Sequence, residues 1–471
     1  MESTQAWAEA EFGGAELGDA RRSRRLVHLA EEVARRPAGT VTGACSSSAS
    51  REGAFRLLES GAVKARAIGD AMCLAGAARC QWEKVVFVPV DATSLTVTDK
   101  THNKGLGAVG SWAQGSRGLH AMTALAVSQS GGTLGICAQR MWVRDRRSPH
   151  GHRHAAGEGS ESEHWLEVLY SARTALASQA PHCTPWFQMD RGADCWQVLA
   201  LAHQLDMLVT VRAAHDRRLD EHIDGLWNVL ERSPVVATVR TDVPARPPIR
   251  KRRREGDRRI HWRTPPRPAR KAKLRVRFAA VALELKTREG RPLTVPMCAV
   301  LVREVSATPD PIEWMLLTTK LVHSRADALA VVRGYTMRWK IEELHRTWKR
   351  GHCRVEETQL RSREAIFKWA TILAAVAARA MRLTQLARST PDVAASTELS
   401  RTELIALIAL REPKGVALEA VPTLGQAVRW LADLGGYTGP WNGPPGATVI
   451  GRGLKDVAAA ARAIKNLSKK R

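Results

Sequence analysis

None of the eight cysteines in this 471-residue chain stands in a C-x-x-C spacing. That absence argues against a structural zinc site or a disulfide framework, and it suits a reducing compartment. Also missing are a cleavable amino-terminal signal pattern and any apolar run approaching the roughly 18 residues that a membrane helix needs. Acidic residues are scarce, with 47 Asp plus Glu against 72 Lys plus Arg, a formal charge of +25. Such an excess points to a polyanionic partner; neither a membrane nor a small-molecule substrate is expected. The expectation is a soluble intracellular protein of two or three domains.

The most informative stretch runs from Tyr335 to Lys349 and is predicted to form one helix. At about 100° per residue, Tyr335, Arg338, Glu342 and Lys349 fall within roughly 60° of one another, while Met337, Ile341, Leu344 and Trp348 cluster opposite. The apolar stripe anchors the helix. On the other face a carboxylate can hold a divalent cation, and an arginine one turn before it and a lysine two turns after it can grip phosphate oxygens. An ordinary solvated charged face is the competing interpretation.

Two further acids complete a metal site of the kind phosphodiester chemistry requires. Val85 to Asp91 is a short β-branched run ending in an acid, and Trp186 to Asp190 is an apolar strand ending in another. Strand ends in α/β sheets are where ligands bind, and hard cations are held there by carboxylates together with substrate phosphates. Asp194 is predicted to cap the helix through Val198 and Leu201.

With these residues in place, the chain resembles the DDE transposases, and within them the insertion-sequence-four group that includes the bacterial transposon-five transposase. Asp91 in Val90-Asp91-Ala92-Thr93-Ser94-Leu95, Asp190 in Asp190-Arg191-Gly192-Ala193-Asp194, and Glu342 in the Tyr-x2-Arg-x3-Glu-x6-Lys pattern resemble that family's acidic triad. Shorter similarities lie at Leu17 to Arg22, Glu52 to Arg56, the Ser116-Arg117-Gly118 turn, Trp314 to Thr318 and Leu434 to Tyr437. The resemblance implies an α/β fold: a ribonuclease-H-like mixed-sheet core carrying a β-rich insertion, flanked by helical amino- and carboxy-terminal domains.

Organisation along the chain is compatible with this. Residues 1–62 read as a helical module in which Asp19 caps a helix with Leu26, Leu29 and Val33 inside and arginines outside. By resemblance it recognises transposon ends, through Arg21, Arg22, Arg25 and Arg56; Arg117 is a further expected phosphate contact. Residues 63–388 alternate strand and helix as a core should, with an insertion at about 213–320. From Pro244 to Arg277 there are 15 Arg or Lys against two acids, more than half of the net charge. That segment is expected to be a mobile loop or ribbon that orders on a phosphate backbone, or else a linker without function. His150, His152 and His154 are assigned to a solvated loop, not to a metal site. Residues 389–471 are expected to be helical and, by resemblance, to pair two subunits.

The expected activity is cut-and-paste transposition of double-stranded DNA. Asp91, Asp190 and Glu342 would hold two Mg²⁺ or Mn²⁺ ions about 4 Å apart, serving the attacking and leaving oxygens of an in-line displacement. The resemblance implies a hairpinned transposon end, a DNA-bound homodimer, a nucleoid-associated place in a bacterial cytoplasm, and a role for Trp314 in stacking a flipped base. A transposase-derived repressor and a metal-dependent nuclease that does not join strands are the alternatives.

Overall fold

A computed structural model describes residues 4–110, 116–144, 161–219, 222–246, 249–250, 262–264, 267–287, 289–305, 308, 310–439 and 444–468. The three histidines at 150, 152 and 154, the basic run Lys251 to His261 and residues 440–443 of the Gly- and Pro-rich turn lie outside these. The chain divides into two units, one built from residues up to Pro185 and from Met337 onward, the other from Trp186–Thr336.

In the first unit, Asp19 is extended and its carboxylate accepts from Arg21 N, starting the helix Ala20–Arg35 as its position predicts. Leu26, Leu29, Ala30 and Val33 are buried on that helix. The helix Ser48–Glu59 follows, capped by Ser47. Both lie near Arg363–Ser389, a long Ala-rich helix that is buried along most of its length, as a helix apolar on all sides must be. Two of its polar side chains tie down the amino-terminal segment. Lys368 Nζ donates to the Leu58 and Ser60 carbonyls at 2.9 Å each, and Trp369 Nε1 donates to the Gly39 carbonyl at 2.7 Å. The buried ammonium thus sits at the carboxyl end of Ser48–Glu59, where carbonyls lack helical partners and the dipole favours a cation.

The described strands of this unit pair antiparallel: Val85–Thr96 with Arg117–Val127, which pairs in turn with Thr133–Trp142 and with the short Gly107–Ala108. The first strand is longer than the predicted run and does not end at Asp91. It continues to Thr96 because its antiparallel pairing with Arg117–Val127 runs on past the acid, and Leu95 is buried there. Asp91 therefore lies within the strand, opposite Thr123. Arg117 and Gly118, expected in a turn, begin the second strand. Helices Arg401–Arg411, Leu424–Leu434 and Ala447–Ser468 close the unit, the first two started by capping boxes. Leu399, Leu404, Leu407, Leu431 and Ile450 share a core with Leu383 of the long helix.

The second unit is a mixed sheet. Thr184–Met189 runs parallel to Leu208–Arg212, the pair connected through a short 3-10 turn and the helix Trp196–Gln204. Antiparallel neighbours follow in the order Glu313–Thr318, Pro292–Glu304, Arg270–Lys286 and Val235–Val243. Part of the basic segment is thus regular strand. Ala272, Leu274 and Val276 are buried while Lys271, Lys273 and Arg275 are exposed, the period of two that lets a heavily charged sequence keep one face in a core. The protein is mixed α/β, and no described helix is long and apolar enough to cross a membrane.

Candidate active site

The predicted helix from Tyr335 to Lys349 is two segments. Arg325–Thr336 ends just after Tyr335, a turn follows at Met337 and Arg338, and Trp339–Lys349 resumes. The second segment keeps the predicted apolar face: Ile341, Leu344 and Trp348 are buried, and Trp348 Nε1 donates to the Ala370 carbonyl at 3.1 Å. Its opposite face faces the strand of Asp91.

There the first unit brings four predicted residues onto adjoining elements. Arg338 donates through Nη2 to Glu342 Oε1 at 2.6 Å, one helical turn away, and its Nη1 lies 3.5 Å from Asp91 Oδ2. The guanidinium is 8% exposed, against 19% for the Asp91 side chain and 33% for that of Glu342, so a largely buried cation holds two acids that solvent can still reach. Trp339, 54% exposed, carries the same guanidinium over its ring at 5.0 Å. Lys349 reaches back to the Asp91 strand, its Nζ donating to the Ser94 carbonyl at 2.6 Å and lying 3.3 Å from Thr93 Oγ1. Burial pushes the Lys349 pKa down, opposed by the nearby Glu356 carboxylate. His345, buried on the same helix, is pushed down to about 3 by burial and then by Lys349 and Arg338.

This donor set fits a hard divalent cation. Two carboxylates from separate elements already share one positive group, and their oxygens are the ligand type that Mg²⁺ and Mn²⁺ take. Among the described residues no three His, Cys, Asp or Glu side chains form a preassembled metal cluster.

Asp190, Trp314 and Tyr335 belong to the second unit. Asp190 follows the strand Thr184–Met189, and its carboxylate accepts from Gly192 N at 2.8 Å to start the 3-10 turn Arg191–Ala193. Asp194 does not cap the helix after it; Cys195 occupies that place without a side-chain bond. The Asp194 carboxylate accepts from Ala214 N at 2.7 Å and pairs with Arg217 at 2.6 Å, tying the turn to the segment after Leu208–Arg212. Tyr335 is buried, not displayed beside Arg338, because the turn at Met337 interrupts the helical phase on which that expectation rested. Its ring meets half-buried Trp314 edge-on, centroids 5.3 Å apart.

The remaining cations divide. Arg21, Arg25 and Arg56 are exposed, although Arg21 also pairs with Asp19 at 3.0 Å and Arg56 with Glu52. Arg22 donates to the Leu17 carbonyl at 2.9 Å. Arg117 differs from its expected role: it is 10% exposed, 3.2 Å from buried Asp99, and bonded to the Leu106 carbonyl, so its charge is consumed inside the protein. Sequence reasoning missed Trp339 and Glu356. The first stood one position off the polar face of the wheel, and the second lies after the helix, where no periodicity marks it.

Residues 4–63 match the family model of a transposase DNA-binding domain, and residues 86–378 match that of the transposase DDE domain. The second match spans more than half of the chain and includes Asp91, Asp190, Trp314, Tyr335, Arg338, Glu342 and Lys349. The chain belongs to the DDE transposases. It is a DNA transposase, an enzyme of DNA cleavage and strand transfer, with DNA as its partner.

Proposed function

We propose that the chain is a cut-and-paste transposase of the insertion-sequence-four group, with a ribonuclease-H-like core carrying a basic β-rich insertion. The observation that carries this is the meeting of Asp91 and Glu342 on one guanidinium, within a chain whose central region is a DDE domain. Asp91, Asp190 and Glu342 are assigned as the acids that hold two Mg²⁺ ions, or Mn²⁺ in their place. When bound, those ions supply an activated water or 3′-hydroxyl and charge stabilisation at the leaving oxygen.

The chain's own residues do the positioning. Two carboxylates repel an approaching phosphodiester, and Arg338 between them offsets that repulsion while its planar fork can turn to phosphate oxygens. Lys349 holds the Asp91 strand through part of its ammonium and offers the rest to a phosphate as a point charge. Trp314, with Tyr335 against its edge, provides a half-buried aromatic surface on which an extruded base can stack, so the end can bend into a hairpin. The exposed arginines of the amino-terminal helices supply salt-sensitive contacts to the end sequence. Two copies act on paired ends in the bacterial cytoplasm, joined through the tail after Ser389.

The test is a reaction of purified protein with Mg²⁺, a DNA fragment carrying its element's terminal repeats, and a target plasmid. The proposal expects nicks at the repeat boundary, hairpinned ends and joined products. Cleavage without joining would instead identify a nuclease, and binding without cleavage a repressor.

A further inference from the structure

The strand carrying Asp91 has an edge at residues 94–96 whose backbone groups are answered by two side chains. The Ser94 carbonyl accepts from Lys349 Nζ at 2.6 Å, and Thr96 N donates to Glu356 Oε1 at 2.8 Å. Residues two apart on a strand present their backbone groups to the same side, so Lys349 and Glu356 take places that a neighbouring strand would fill. The two side chains themselves stand 3.9 Å apart.

Glu356 comes from the 3-10 turn Val355–Glu357, entered through Arg354 in a left-handed conformation at φ 44° and ψ 45°. That corner is held from behind. A Cβ at Gly39 would lie 2.0 Å from the Arg354 carbonyl oxygen, so only glycine permits the approach, and Trp369 fixes Gly39 through its carbonyl. Glu356 is therefore carried on a braced turn.

We propose that Glu356 is a positioning residue for DNA cleavage: it aligns the Lys349 ammonium against the Asp91 strand, so that Lys349 meets the phosphate beside the scissile bond in one fixed geometry. It acts through Lys349 and touches no DNA. A cation that burial disfavours needs a fixed countercharge, and Glu356 is the acid beside it. The inference rests on the assignment of Lys349 as a phosphate ligand.

A double-mutant cycle separates the two claims. Single-turnover nicking of end DNA already bound by the full-length protein is measured with Mg²⁺ for wild type, Lys349→Ala, Glu356→Ala and the double variant, alongside thermal melting and end binding. Each single change should slow nicking by on the order of tenfold, and the double should be no slower than Lys349→Ala, because residues that act as one unit are not additive. Glu356→Gln keeps an acceptor for Thr96 N and should recover part of the rate; the same cycle run with it serves if the alanine variant does not fold. Wild-type nicking by Lys349→Ala overturns the phosphate role of Lys349 itself. A slow Lys349→Ala accompanied by a fast Glu356→Ala, or by multiplicative losses in the double, overturns the positioning role alone.

Discussion

Arg338 lies 3.5 Å from Asp91, joining a strand of the central sheet to the helix that bears Glu342, which the same guanidinium holds at 2.6 Å. The two carboxylates that the proposed mechanism assigns to the metal ions are thereby kept together beforehand. Removing the guanidinium leaves their mutual repulsion without that compensation.

Arg338→Ala should accordingly lower stability in EDTA by about 1 to 3 kcal/mol, the usual range for losing a charged partner at a mostly buried site. Divalent ions can replace the lost countercharge. Mg²⁺ should then raise the melting temperature of Arg338→Ala more than that of wild type. Equal Mg²⁺ responses in the two proteins would show that the ion does not bind where Arg338 acts.

Trp314→Ala distinguishes a stacking platform from a packing residue. A fully buried tryptophan costs about 3 to 5 kcal/mol when truncated and takes every activity with it. Trp314 is half-buried, so the variant should fold, bind ends and nick, yet accumulate nicked DNA or unresolved hairpins, with a loss of about 1 to 3 kcal/mol confined to those steps. An abasic site at the flipped position should partly rescue it. Parallel loss of melting temperature and nicking would mean that Trp314 serves chiefly to pack Tyr335.

Much of this is legible in the sequence, and the departures from it share a cause. Ile341, Leu344 and Trp348 could be placed because one helical period ran uninterrupted through them, and Asp19 because a cap is a local bond. Tyr335 departs from the predicted face because the turn at Met337 resets that period. The burial of Arg117 is not legible because its partner Asp99 lies in the segment after the first strand and meets it only once the two strands have paired, which no pattern of spacing conveys. Glu356 stayed hidden for a related reason: its backbone partner at Thr96 is distant in sequence and close only after the sheet has formed.

Three buried histidines predict a pH dependence. Burial holds His120 and His352 down to about 4 and His345 to about 3, against an ordinary value of 6.5, with Arg144 adding to the effect on His120. Between those values and 6.5 the unfolded chain binds protons that the folded chain refuses, so stability is full above about pH 6.5 and falls as pH drops toward 4. The melting temperature should fall steadily from pH 7 to pH 5. A flat profile across that window would mean that these rings are protonated in the folded protein.

The acids themselves provide the most direct test. Asp91→Asn, Asp190→Asn and Glu342→Gln replace the three acids proposed to hold the metal ions while leaving the chain's cations in place. The deciding measurement is Mg²⁺-dependent nicking at the terminal repeat by each variant, with end binding followed on the same preparations. All three should bind ends with near wild-type affinity and fail to nick. Nicking near the wild-type rate by any one of them would remove that residue from the active site and contradict the triad.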